Sequence, residues 1–218
     1  MTTIVVLSGG MDSAVLLAQM IHLGHTPLAL SINYGQRHSR ELRSAFDLAA
    51  HYKVEWRCVD LSGLRSLMTG SSQTDAAVPV PHGHYTADSM RTTIVPNRNM
   101  ILLAVAGAWA IARKADAIAY AAHAGDHAIY PDCRPAFVEA CSATLRLADD
   151  HPVTIARPFI DWTKAQICHR GAVLGVPFAL TYSCYEGADA HCGQCGTCVE
   201  RREAFTLAGV PDPTEYAR

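Results

Sequence analysis

Four cysteines near the C-terminal end of the chain have the residue type and spacing to do chemistry. Cys192 and Cys195 flank Gly193 and Gln194, Cys198 follows after Gly196 and Thr197, and Cys184 lies a short loop upstream. Thiolates on such a glycine-containing knuckle wrap one ion, and four of them close a tetrahedron, the pattern of a structural zinc site. An iron–sulfur cluster is the alternative, because Cys-x-x-Cys-x-x-Cys also occurs in ferredoxins, and His191 could stand in for one thiolate. A four-thiolate site has no open coordination position, so its metal would stabilise the fold rather than catalyse, contributing on the order of 10 kcal/mol.

The second chemical stretch is Leu7-Ser8-Gly9-Gly10-Met11-Asp12-Ser13, between an apolar run and a helical pattern. Adjacent glycines let backbone approach a ligand closely. A helix start then presents unpaired N–H groups and the positive end of its dipole, which suits a phosphate or pyrophosphate. No lysine and no Walker A or Rossmann glycine spacing is present. The plain alternative is a Gly-Gly turn with Asp12 or Ser13 as an ordinary N-cap. A third stretch, His123 to Arg134, is dense in ionisable groups and holds Cys133, a candidate nucleophile by position. Cys58, Cys141 and Cys168 lack motif spacing and are expected to be buried thiols.

Composition narrows the class. The 218 residues are 50% hydrophobic and carry 18 basic against 20 acidic residues, a formal charge of −2. That supports a folded domain and argues against a protein that coats nucleic acid. The N-terminus lacks the marks of a secretory leader, and no apolar run approaches about 18 residues, so the expectation is a cytoplasmic protein with reduced thiols and no membrane association.

The elements that must position these residues alternate. Strands are expected at Thr2–Leu7, Pro27–Tyr34, Val54–Leu61, Ala117–Ala122 and Val153–Ala156. Helices are expected at Ser13–His22, Arg40–His51, Met100–Lys114 (asparagine-capped and buried nearly all round), Pro135–Leu147, Thr163–Leu174 with a Thr163/Gln166 capping box, and Glu200–Ala208. Alternation implies an α/β fold, a doubly wound parallel sheet, with residues 1–175 as the nucleotide-binding domain and 176–218 as a helical zinc-binding appendage. Loops leaving the carboxyl ends of strands should bring Ser8–Ser13, Tyr34–His38 and His123–Arg134 into one crevice. Thr69–Thr93, rich in Gly, Ser, Thr, Pro and His, has the composition of a lid, binding loop or mobile insertion.

With Ser8-Gly-Gly-Met-Asp-Ser13, Tyr34-Gly-Gln-Arg-His38, Pro96-Asn-Arg-Asn99, Tyr130-Pro-Asp-Cys-Arg134, the cysteine cluster and the Gly209–Tyr216 tail in register, the chain resembles the 7-cyano-7-deazaguanine synthase family of the queuosine pathway, within the wider class of ATP pyrophosphatases (PP-loop enzymes). The resemblance implies an adenine-nucleotide alpha-hydrolase fold, a homodimer, one zinc ion per chain, and ATP with Mg²⁺. It implies conversion of 7-carboxy-7-deazaguanine and ammonia to the nitrile through an adenylated carboxylate and an amide. In that chemistry the nucleotide is held by the loop and the helix behind it: Leu7, Ser8, Gly9, Gly10, Met11, Asp12, Ser13, Ala14, Val15, Leu16, Leu17 and Ala18. Asp12 helps hold Mg²⁺, and Arg98 and Lys164 draw charge off the phosphates. Arg37, His38, Asp132 and Arg134 are assigned to the substrate, with Asp132 and Arg134 also among the catalytic candidates. Many family members carry Ser-Gly before Tyr-Pro-Asp-Cys-Arg, whereas His127-Ala-Ile stands here, which leaves that loop's contacts open. No glutaminase region is visible, so ammonium or an ammonia-delivering partner is the expected nitrogen source. A tRNA thiolation enzyme of the same class would share the loop but want a tRNA-binding region and sulfur-carrying cysteines. A non-enzymatic zinc module binding nucleic acid would want a basic, aromatic-studded face.

Overall fold

The computed structural model describes Met1–Ala217; Arg218, the end of the expected appendage, lies outside the described residues. Five strands, β1 (Thr2–Val6), β2 (Thr26–Asn33), β3 (Trp56–Asp60), β4 (Ala117–Ala119) and β5 (Thr154–Ala156), form one parallel sheet in the order β3-β2-β1-β4-β5. Ile4 of β1 lies level with Leu28 of β2 and Ile118 of β4. The chain runs outward from β1 to β3 and then returns to place β4 on the other side of β1. The order therefore reverses between β1 and β4, where loops leave in opposite directions and a crevice opens.

Strand alternation feeds two cores. Ile4, Leu30 and Ile118 join the cluster under α4 (Arg98–Ala112) and α5 (Pro135–Ala148), with Leu103, Ala106 and Val138. Val5, Ala29 and Ala119 face the opposite cluster with α1 (Met11–His22), α2 (Arg40–His51), α6 (Lys164–Val173) and α7 (Gly196–Ala208). Gly171 sets how closely α6 seats on α1: an added Cβ would lie 2.6 Å from Val15 and 2.5 Å from Phe178. The expected Thr163/Gln166 capping box starts α6, with both reciprocal hydrogen bonds made.

Several expectations change. Helix α4 is not buried all round: Ala104, Ala108 and Ala112 are exposed while Leu103, Ala106 and Ala110 face the core. Asn97 occupies its N-cap position in left-handed backbone (φ 57°) and its side chain does not cap. Asp132 does that work, its Oδ2 accepting from the Asn99 N–H at 3.2 Å. The 69–93 stretch contains a short helix, α3 (Ala87–Arg91), and Ser71, Ser72, Gln73 and Thr74 are buried. Cys58 is exposed because β3 is the edge strand, while Cys141 and Cys168 are buried.

The C-terminal segment is stitched to the body by one buried cation. Arg201, 1% exposed, donates to Thr214 Oγ1 (2.7 Å), Thr181 Oγ1 (2.8 Å) and the Phe178 carbonyl (3.2 Å), and faces Asp212 at 3.5 Å. Phe205 meets Phe178 edge-on beside it. Breaking a buried charge pair by removing one partner costs about 3–5 kcal/mol. Arg201→Met is therefore expected to lower unfolding free energy by about that much, read by denaturant titration; a loss below about 1 kcal/mol would refute the clamp.

Candidate active site

The loop after β1 is shaped by a close approach. Gly9 takes φ +99°, and an added Cβ would lie 2.0 Å from the Glu41 carbonyl oxygen in the first turn of α2, so only glycine fits. Gly10 is then the N-cap of α1, with no side chain to cap it. The expected alternative of Asp12 or Ser13 as N-cap does not hold: the Ser13 hydroxyl donates back to the Gly10 carbonyl (3.1 Å) and lies 3.1 Å from Ser8 Oγ. The first-turn amides thus face outward with the helix dipole behind them, an anion site made by backbone. Ala14–Ala18 do not line the crevice: they are buried in the core behind the turn and hold it from inside.

A cavity of about 240 Å³ opens over this turn, walled by Ser8, Gly10–Ser13, Tyr34, His38, Glu41, Arg98, Asn99, Asp126, Lys164 and Tyr185, among others. The three loops expected to converge do converge there, with Asp126 contributed by the loop after β4. Lys164, in the first turn of α6, donates to Glu200 Oε2 at 2.9 Å and stands 3.8 Å from Asp12 Oδ2. Burial works against its charge, but Glu200, Asp12 and Asp126 reverse this and hold the ammonium above its usual pKa. His123 accepts from the Gly125 N–H at Nδ1 (3.1 Å), which puts its ring proton on Nε2, 3.4 Å from Asp126 and 3.8 Å from Asp12. Asp126 is pushed up by burial, an effect opposed by His123 and Lys164. Asp12 Oδ1 is buried without a hydrogen-bond partner, the kind of donor a hard divalent cation takes. Across the cavity Arg98 lies beside Tyr34 and Tyr185, and among the described residues no carboxylate comes within 4 Å of it.

His38 and Glu41 form a second polar wall. His38 is buried, and burial followed by the Arg98 charge lowers its pKa to about 3, so the ring is neutral. Glu41 is buried too, and burial raises it to about 8 against the opposing effects of Gln36 and Arg98. The other substrate candidates lie off the cavity wall. Arg37 donates to the Asp75 and Val78 carbonyls, Asp132 caps α4, and the exposed Arg134 donates to the His127 and Ala128 carbonyls. Cys133 lines the cavity, but burial raises its pKa to about 12. It is a protonated thiol packed against Tyr120, not a thiolate nucleophile. Glu41 and Glu200 escaped the sequence reading, and Asp126 entered it only as part of the His123–Arg134 stretch. For Glu41 a signal existed: it falls on the same α2 stripe as the buried Ala45, Leu48 and Ala49, an acid on an apolar face.

The four clustered thiols meet as expected, their sulfurs all within 4.8 Å of one another. Cys192 and Cys198 are 4.0 Å apart, Cys184 and Cys195 3.9 Å. A tetrahedron with ~2.3 Å metal–sulfur bonds has edges of about 3.8 Å. The donor set therefore fits a single ion. The Gln194 and Cys195 amides donate to Cys192 Sγ at 3.4 and 3.2 Å, as on a metal knuckle. Residues 79–85 strap across it: the Gly83 N–H bonds the Gln194 carbonyl at 2.7 Å, and Tyr85 lies on Gly196.

An anion-ready turn at the switch point of a parallel sheet, with a lysine across it and no Walker lysine within it, is the arrangement of a PP-loop fold. Solved structures agree on the fold. NMN synthetase from Francisella tularensis superposes with a TM-score of 0.51 at 18% identity, covering 96% of this chain and 77% of that one. U34-tRNA thiolase NcsA from Methanococcus maripaludis with its [4Fe-4S] cluster gives 0.51 at 15%, covering 94% and 64%. The chain belongs to the QueC family: the model described as "Queuosine biosynthesis protein QueC" matches residues 2–209. It is 50% identical over 218 residues to the 7-cyano-7-deazaguanine synthase of Rhizobium meliloti, covering 99% of this chain and 92% of that protein. It is 48% identical over 217 residues to that of Marinobacter nauticus, covering 100% and 98%.

The turn makes a prediction of its own. Gly9→Ala should weaken binding of inorganic pyrophosphate by at least about tenfold in calorimetry, because the clash is with backbone and displaces the anion-facing amides. Gly24→Ala, at a positive φ but in open space, should leave that affinity unchanged. Equal effects would refute the assignment.

Proposed function

We propose that this chain is an ATP-dependent carbon–nitrogen ligase that converts 7-carboxy-7-deazaguanine and ammonia to 7-cyano-7-deazaguanine. The observation that carries this reading is full-length identity near 50% to synthases of that name, joined to a cavity with a pyrophosphate-ready turn.

A carboxylate cannot expel hydroxide at neutral pH, so it must acquire a leaving group. One carboxylate oxygen attacks the α-phosphorus of ATP, the bond to the β-phosphate oxygen breaks, and pyrophosphate departs. Ammonia then displaces AMP and loses a proton, giving the amide. The amide oxygen attacks a second ATP in the same way, and loss of AMP and of both amide protons leaves the nitrile. Both activations build charge on a departing pyrophosphate. The α1 amides with Ser8 and Ser13 receive it, and Lys164 and Arg98 draw it off. Asp12, with its orphaned oxygen, is the residue to hold Mg²⁺, which when bound neutralises phosphate charge. The fixed lysine stands outside the loop, as suits cleavage at the α- rather than the γ-phosphate.

On this reading residues 1–175 hold the nucleotide and 176–218 form the metal-braced appendage. Zinc is the proposed ion, since the sulfurs lie as close as one ion requires and closer than the corners of a multi-iron cluster would place them. Substrate recognition is proposed for His38 on the cavity wall. Arg37, Asp132 and Arg134 serve through the loops and helix they hold. We place the enzyme in the cytoplasm as a homodimer acting on small molecules without contacting nucleic acid. Among the described residues no helix is long and apolar enough to cross a membrane.

Incubation with ATP, Mg²⁺, ammonium and 7-carboxy-7-deazaguanine should yield the nitrile by mass spectrometry, dependent on both ATP and ammonium. Asp12→Ala should lower turnover by at least about 10²-fold while remaining folded. A folded, metal-loaded protein giving no ATP-dependent product would overturn the reading. Elemental analysis should find one zinc per chain; iron with acid-labile sulfide would overturn the metal assignment.

A further inference from the structure

The carboxyl of Glu41 is an oddity that the phosphate chemistry does not use. It lines the cavity, is buried, and has no lysine or arginine within 4 Å among the described residues. Its Oε1 accepts from Gln36 Nε2 at 3.1 Å and faces His38 Nε2 at 3.4 Å. Its Oε2 makes no hydrogen bond to the described residues. Gln36 is itself held, accepting from the Tyr34 N–H at 2.9 Å and donating to the Ile32 carbonyl at 3.3 Å, so the carboxyl is fixed rather than free to swing to solvent. The charged and titratable groups facing it are His38 from its own side, Tyr34 from the end of β2 and Arg98 from α4.

We propose that Glu41 is a specificity residue that reads the 2-aminopyrimidinone edge of the substrate, accepting from its ring N1–H and its 2-amino group. This deepens the functional reading above and rests on it. Two adjacent N–H donors match a carboxylate's two oxygens, a paired, charge-assisted arrangement. Adenine offers one N–H beside a ring lone pair and would oppose the second oxygen. The 2-amino edge and the C7 carboxyl lie at opposite ends of the deazaguanine bicycle, so anchoring one at Glu41 directs the other toward the nucleotide. Burial keeps Glu41 protonated near neutral pH, and two donors favour the ionised form, so binding should release its proton.

The test is calorimetry on the zinc-loaded full chain at pH 7, in buffers of different ionisation enthalpy. The ligands are 7-carboxy-7-deazaguanine and its 2-desamino counterpart. The unmodified protein should prefer the amino compound by about 10- to 100-fold, the worth of a hydrogen bond to a charged group, and release protons on binding it. Glu41→Gln should bind ATP as before, lose most of that preference and release no proton. Retained preference and proton release in Glu41→Gln, or a loss confined to ATP affinity, would overturn the proposal. A role confined to folding would move the melting temperature but not the preference. Should Glu41→Gln fail to fold, the unmodified protein decides: equal affinity for the two ligands refutes the inference. Binding of neither ligand would overturn the functional reading itself, and this inference with it.

Discussion

The structure turns on one close contact, between the backbone of Gly9 and the first turn of α2. With 2.0 Å between a notional Cβ and the Glu41 carbonyl, that position admits no side chain, and the chain leaves β1 in a backbone conformation that only glycine takes easily. The next residue starts α1 without a capping side chain. A helix start left this way is suited to an anion, and the sheet order puts it at the point where strands β1 and β4 part. The same contact fixes Glu41: the backbone that presses on the phosphate turn belongs to the residue whose carboxyl lines the far wall. The turn after β1 and the Glu41 wall of the cavity are thereby set by one packing event.

The metal cluster reaches this site through α7. Cys198 lies in the first turn of that helix, Glu200 follows and holds Lys164 at 2.9 Å, and Arg201 ties the same turn to the Phe178 carbonyl and Thr181. A closed thiolate site has no coordination position for a substrate, so its contribution is mechanical. An ion bound there would brace α7 with on the order of 10 kcal/mol, and α7 carries Glu200, which holds Lys164 near Asp12. Residues 79–85 lie on the knuckle's other side, so the stretch whose composition suited a lid, binding loop or mobile insertion is packed against the cysteine cluster and buried at Ser71–Thr74.

Much of this was legible from residue types because it is local. The cysteine knuckle, the Thr163/Gln166 box and the span of α2 depend on spacing along a few turns, and the structure keeps them. What was not legible depends on partners far apart in the chain. Asp132 read as a substrate residue from its place in the His123–Arg134 loop and the Tyr130–Arg134 motif; only the fold puts it under the Asn99 amide, where it caps α4. The apolar composition of α4 spoke for burial, yet no periodicity showed which side would be left open. Cys58 sits on an edge strand that becomes an edge only once β4 returns beside β1. Glu41 carried a local signal, an acid on an apolar stripe, whose meaning waited for the cavity.

The claim that the turn receives pyrophosphate, and so places cleavage at the α-phosphate, is tested most directly by following oxygen. With both carboxylate oxygens of 7-carboxy-7-deazaguanine replaced by ¹⁸O, and turnover carried through to the nitrile in unlabelled water, the account predicts that the label leaves in the phosphate group of AMP. Each of the two activations carries away one substrate oxygen, and the pyrophosphate stays unlabelled. Label appearing in inorganic phosphate, with ADP as the nucleotide product, would place attack at the γ-phosphorus and contradict the role given to the Ser8–Ser13 turn.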